Sequence, residues 1–207
     1  IFDISIKTIS AIFLPKPQLA FYSQAESIGK LIGRIPEALN TILYPTISNR
    51  DNREDAPMIL STAFRYSLII LTLISIPLIF SAEFLFVLLY GEEFRSTGSF
   101  FILMLPGIIF GYSCISVRAY FDGIGKAYLV PRIVFLPVIF QILINYFLIK
   151  NYGIDGAIIG FNISYFLYGC VLLSSFIYFS QISANNLIPK IDDIKKISRY
   201  FFSLIKS

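Results

Sequence analysis

"LIILTLISIPLIFSAEFLFVLLYGEEFRSTGSFFILMLPGIIFGYSCISV", residues 68–117, decides the fold class. Two apolar runs, 68–90 and 100–117, stand on either side of a short connector. Each is close to the roughly 20 residues needed to cross ~30 Å of hydrocarbon. The connector holds Glu92, Glu93 and Arg95 in a chain otherwise sparing of charge. An acidic pair can serve acid/base catalysis or mark the point where a chain leaves a membrane. Neighbouring carboxylates on a short turn share solvent and repel, whereas acid/base chemistry needs a pocket and two separated roles. A solvated connector is the reading favoured for Glu92 and Glu93.

Working outward, comparable apolar runs occupy 133–149 and 157–179. The chain is 56% hydrophobic and 14% charged, with mean hydropathy +0.74. A soluble domain carries about 25% charged residues, so this composition leaves too little polarity to cover a water-facing surface. Backbone groups have no water partners inside hydrocarbon, and the apolar/polar alternation of a barrel strand is absent. The spans are therefore helices, kinked at Pro77, Pro106 and Pro137. No histidine is present, which removes the usual general base, pH switch and zinc ligand. Cys114 and Cys170 fall inside apolar runs and read as small hydrophobes. The start at Ile1 lacks an initiator methionine and the pattern of a signal peptide, so the chain reads as a fragment.

Residues 19–47 are more informative. Glu26, Lys30, Arg34, Glu37 and Thr41 fall on one side of a helix at 3.6 residues per turn. Each charge at a bilayer centre costs about 2.5–3.5 kcal/mol, so four facing lipid would cost on the order of 10 kcal/mol. They are expected to face protein or water, as the hydrophilic face of a fifth membrane helix bent at Pro36 and lining a cavity. An i,i+4 charge ladder on a soluble or interfacial helix is the alternative. Gln141 and Asn145 either line the same cavity or serve as interhelical hydrogen-bond glue. Arg118 and Asp122 are expected to pair at a helix end. "DGIGKAY" lacks the first glycine and the Ser or Thr of a phosphate loop, and the sequon at Asn162 lies inside a span.

Basic residues assign the orientation. One face receives Arg50, Arg53, Arg65, Arg118, Lys126 and Arg132, together with the tail lysines. The other receives Lys16, Arg95 and Lys150. The richer face belongs in the cytoplasm. In the tail, Ile188, Ile191, Ile194, Ile197, Phe201 and Leu204 alternate with Lys190, Lys195, Lys196 and Arg199, which predicts a basic amphipathic helix on an anionic leaflet. A nucleic-acid partner is not expected. The predicted architecture is an all-α polytopic membrane protein: the end of a truncated helix over 1–14, a bundle over 15–179 and a cytoplasmic tail over 180–207. About five full spans are expected, at 19–47, 68–90, 100–117, 133–149 and 157–179.

Four stretches carry a resemblance. "LAFYSQAESIGKLIGRIPEALNTILYPTIS" looks like the helix of polysaccharide flippases that opens on Tyr-Ser-x-Ala, here Tyr22, Ser23 and Ala25, and closes on a proline, here Pro45. "LLYGEEF" resembles that family's outer turn, and "GIGKAY" and "INYFLIKNYGIDGAIIG" complete the order. Together they resemble the Wzx-type O-antigen and exopolysaccharide branch of the multidrug, oligosaccharidyl-lipid and polysaccharide exporter superfamily. The resemblance implies the C-terminal lobe of a two-lobed, twelve- or fourteen-helix transporter of the bacterial inner membrane. Its cargo would be an undecaprenyl-pyrophosphate-linked oligosaccharide, flipped by alternating access without covalent chemistry or cofactor. Implied partners are the missing N-terminal lobe, membrane lipids, and the polysaccharide polymerase and chain-length machinery. Lys30 and Arg34 suit an anionic pyrophosphate, with Glu26 and Glu37 tempering their charge or coupling to an ion. A lipid II flippase or multidrug antiporter would use a similar lobe. A polymerase would need catalytic residues in a sizeable outer loop, and a non-transporting subunit would not need the charged stripe.

Overall fold

A computed structural model describes residues 2–48, 55–195 and 197, with side chains from residue 6 to 38 and from 55 onward. Arg50 and Arg53 lie outside the described residues, as do Lys196 and the tail beyond 197. Five helices follow in order: α1 Phe2–Phe13, α2 Lys16–Ser48, α3 Ala56–Tyr90, α4 Arg95–Gly123 and α5 Leu129–Ser180. Short 3-10 turns sit at Glu92–Phe94 and Ala184–Leu187, and there is no strand among the described residues.

By length and composition three helical stretches are apolar enough to cross a membrane: Ala56–Tyr90, Glu92–Gly123 and Leu129–Ser180. The last, at 52 residues, would extend about 78 Å if straight, far more than a bilayer needs. It breaks at Gly153, whose φ of 57° and ψ of −130° suit a residue without a Cβ. The halves then fold back on each other, since Asn145 Nδ2 donates to Ser164 Oγ at 2.9 Å. The expected segments 133–149 and 157–179 are these two halves. α2 forms one continuous helix through Pro36, yet it is not among the helices apolar enough to span by composition. Its charges are the reason.

α4 is the central helix, packing on α2, α3 and α5, while α1 leans chiefly on α5. In hydrocarbon the hydrophobic effect does not drive helices together, so close approach at small residues must. Glycine pairs four residues apart provide it. A Cβ on Gly29 or Gly33 of α2 would run into Ile108 or Tyr112 of α4, and one on Gly107 or Gly111 of α4 would meet Asn162 or Tyr165 of α5.

The prolines are handled without ending a helix: α3, α4 and α5 run through Pro77, Pro106 and Pro137. At Pro106 the repair is visible. Asn162 Oδ1 accepts from Gly107 N at 2.7 Å and its Nδ2 donates to Leu103 O at 2.9 Å. The amide of α5 thus replaces the Gly107-to-Leu103 rung of α4. Such side-chain insertion accompanies proline kinks.

Two ends emerge. At one, Phe21 of α2 meets Phe94 after α3 with ring centroids 5.4 Å apart, and Phe13 of α1 meets Tyr146 of α5 at the same separation. At the other, Ala56, Leu60 and Phe64 of α3 cluster with Phe121, Phe176 and Leu187. The grouping agrees with the basic-residue partition: Lys16, Arg95 and Lys150 belong to the first end, and Arg65, Arg118, Lys126 and Arg132 to the second.

Candidate functional site

The charged stripe of α2 splits as it runs along the helix. Glu26 turns into the protein, its side chain 2% exposed. Its neighbours Tyr22, Ala25, Gly29, Ile32 and Gly33 are buried with it, forming the stripe that packs on α4. A buried carboxylate needs partners. Lys30 Nζ stands 2.7 Å from Glu26 Oε1, one turn on, and Lys7 Nζ reaches Oε2 at 3.3 Å from α1. Both lysines remain partly exposed, at 41% for Lys7 and 36% for Lys30. The triad carries a net formal charge of +1.

Arg34 and Glu37 continue the same side of α2 and are exposed. Position 34 lies about 12 Å along α2 from Glu26, more than two turns past the Lys7 contact. Leu31 is exposed as well, at 54%, so exposure here is not confined to the polar positions. The side chain of Thr41 lies outside the described residues.

Gln141 and Asn145 are buried in α5. Asn145 Nδ2 donates to Gln141 O at 2.8 Å and to Ser164 Oγ across the hairpin. The structure therefore gives Asn145 an interhelical bonding role within α5, and does not join it to the Glu26 triad. Glu92 and Glu93 stand on the exposed connector, where Arg95 Nη2 pairs with Glu92 Oε1 at 2.7 Å and lies 3.9 Å from Glu83 through Nη1. Arg118 and Asp122 face each other at 3.9 Å on α4.

Two charged groups had no special place in the sequence reading. Lys7 received no site role because only α2 showed a charged stripe. The signal available was a lone lysine in an apolar helix, which must find an anion or water. The other is a buried pair, Arg65 with Asp193, whose Nε and Oδ2 lie 2.7 Å apart. It stands at the end of the molecule bearing the tail.

At the level of sequence the chain is similar to a protein from Shigella flexneri named "Putative O-antigen transporter". Identity is 28% over 149 residues, covering 70% of this chain and 35% of that protein. The chain thus spans about a third of the length of the relative it matches. No family profile matches the chain, and no solved structure does either.

Proposed function

We propose that this chain is one lobe of a polysaccharide flippase, which carries an undecaprenyl-pyrophosphate-linked oligosaccharide from the inner to the outer leaflet of a bacterial inner membrane. On this reading α2, α3, α4 and the two halves of α5 all cross the bilayer, and a second lobe completes the pathway. The C-terminus is cytoplasmic. The supporting observation is the triad of Lys7, Glu26 and Lys30 on an apolar bundle, with Arg34 exposed one turn further on. The Shigella relative's name supports a transporter of this kind. Lys30 and Arg34, now joined by Lys7, are the cations that engage the pyrophosphate.

Both ammonium groups carry three N–H donors and stand partly exposed beside one carboxylate. Glu26 holds the ammonium groups in place and lowers the local charge, so the site attracts an anion without trapping it. At an effective dielectric of about 20, unit charges 4 Å apart attract by about 4 kcal/mol, against about 1 kcal/mol in bulk water. A site walled by helices on one side can therefore order a diphosphate. Transport requires binding that differs between the two access states, and no bond is made or broken.

The test is export in cells. In the full-length protein, Lys30→Ala, Arg34→Ala and Lys7→Ala should each lower surface polysaccharide at unchanged membrane abundance, with the Lys30→Ala, Arg34→Ala pair lowering it most. Normal export by that double variant at native abundance would refute the reading.

A further inference from the structure

We infer that the C-terminal segment is a membrane-surface foot: the Arg65–Asp193 clamp turns Ile188, Ile191 and Ile194 outward to enter the acyl boundary of an anionic leaflet, while Lys190 and Lys195 reach its phosphates. The inference requires only that the helices cross a bilayer. It stands whether or not the cargo is a lipid-linked sugar.

The clamp is built from several bonds. Arg65, the charged residue buried in α3, donates through Nε and Nη2 to the two oxygens of Asp193, at 2.7 and 3.3 Å. Its Nη1 donates to the carbonyl of Asn186 and its Nη2 also reaches Thr62 Oγ1 at 3.2 Å. Asp193 Oδ2 accepts the backbone N–H of Lys190 at 2.9 Å, closing the first turn of the short helical stretch 191–195. Leu187, just before it, inserts into the cluster made by Ala56, Leu60, Phe64, Phe121 and Phe176. Peg and clamp together fix which way the segment faces.

That orientation inverts what water would select. With Asp193 inward, positions 191 and 195 lie about 200° away around the helix, and 194 about 100°. Ile188, Ile191 and Ile194 are accordingly 59%, 75% and 52% exposed, although a quarter-turn rotation would have buried isoleucine and freed the carboxylate. A helix that hides its aspartate and shows its isoleucines fits an outer medium that is itself apolar, and alternating lysines fit the phosphate layer above it.

The neighbourhood independently marks the level of an interface. Tyr128 is 55% and Tyr178 71% exposed. Arg132 sits over the Tyr128 ring at 5.2 Å and Lys126 over Phe179 at 5.8 Å. Exposed aromatics paired with basic side chains are the belt found at headgroup level. The tail leaves α5 at Gln181, directly after Tyr178 and Phe179, so it starts within that belt.

The experiment places an environment-sensitive fluorophore on Ile191→Cys in the full-length protein, made free of its two native cysteines. The protein is held in nanodiscs of phosphatidylcholine alone or with one-third phosphatidylglycerol, with doxyl-labelled lipid or aqueous iodide as quencher. The foot predicts doxyl quenching and iodide protection, stronger with phosphatidylglycerol. Lys190→Gln with Lys195→Gln should lower the ratio of inserted to free segment on the order of 25-fold in the anionic disc, at about fivefold per lysine. Lys190→Gln keeps the backbone N–H that Asp193 accepts but removes a charge acting on that carboxylate, so the Lys195→Gln single variant, which leaves the clamp intact, should by itself show a drop of about fivefold. Asp193→Asn should abolish the lipid-composition dependence. Iodide quenching in both discs would show a water-facing tail and overturn the proposal. Protection from both quenchers would also overturn it, by showing that another protein surface covers the isoleucines.

Discussion

Glu26, Lys30, Arg34 and Glu37 share a side of α2 by spacing, but only Glu26 is buried, because the angle around one helix says nothing about which positions a neighbouring helix covers. The spacing rule was sufficient to find them as a group. Recognising Lys7 as the second partner needed the α1–α2 turn, which brings residues far apart in sequence together. Charge removal at Glu26 gives a prediction of its own. Glu26→Gln leaves two ammonium groups near one neutral amide, so labelling of Ser10→Cys, a buried position of α1, should accelerate severalfold, whereas Glu26→Asp should stay close to wild type. Asp193 supplies the pH-dependent case. Burial alone would raise its pKa, but hydrogen bonds from Arg65 and the Lys190 N–H, with the charges of both residues, outweigh that and hold it below the ordinary carboxylate range. A depressed folded pKa stabilises docking above the unfolded value of about 3.9 and loses that stability as pH falls through the folded one. The tail should stay docked at pH 7 and pH 5 and release only below about pH 4. Hydrogen exchange at 184–195, corrected for intrinsic rate, reads this directly. Asp193→Asn should release it at every pH, since breaking one side of a buried pair costs about 3–5 kcal/mol.

Between helices, the closest approaches are at glycine pairs and bridging amides, and bulky apolar residues fill the space around them. Hydropathy made the apolar runs of α3, α4 and α5 legible, because a bilayer imposes one length on every crossing. It gave no account of which helix packs on which. That information lay in Gly29 with Gly33 and Gly107 with Gly111, read at a spacing of four, and in Asn162, which spacing rules had assigned only a chance sequon. Replacing Gly33 by Leu should force α2 from α4 at Tyr112, costing about 1–3 kcal/mol as overpacking does; resistance to thermal aggregation in detergent would record it. Asn162→Leu strips partners from Gly107 N–H and Leu103 C=O at the Pro106 bend. An unmade pair of this kind costs about 1–3 kcal/mol, and the same thermal assay should show a loss of similar size. The fate of Gln141 and Asn145 shows the limit of pattern reading: a polar pair at i,i+4 has the same appearance whether it faces a cavity or a partner helix. In the structure Asn145 bonds Ser164 across the fold-back at Gly153, a contact that spacing along one helix does not reveal.

Across the whole molecule, the described basic residues Lys16, Arg95 and Lys150 gather at one end and Arg65, Arg118, Lys126 and Arg132 at the other, in the way the loops alone suggest. Topology follows as a prediction: in intact cells Glu93→Cys should react with an impermeant maleimide, whereas Lys126→Cys should react only after permeabilisation. The relative's greater length places the rest of the pathway beyond this chain in the proposal, which is why the decisive measurement needs the full-length protein. Purified and reconstituted with an undecaprenyl-pyrophosphate-linked oligosaccharide in the inner leaflet of liposomes, it should deliver the sugar to a lectin outside. The Lys30→Ala, Arg34→Ala double variant, equally reconstituted, should do so at least tenfold more slowly. Equal rates for the two proteins would contradict the account.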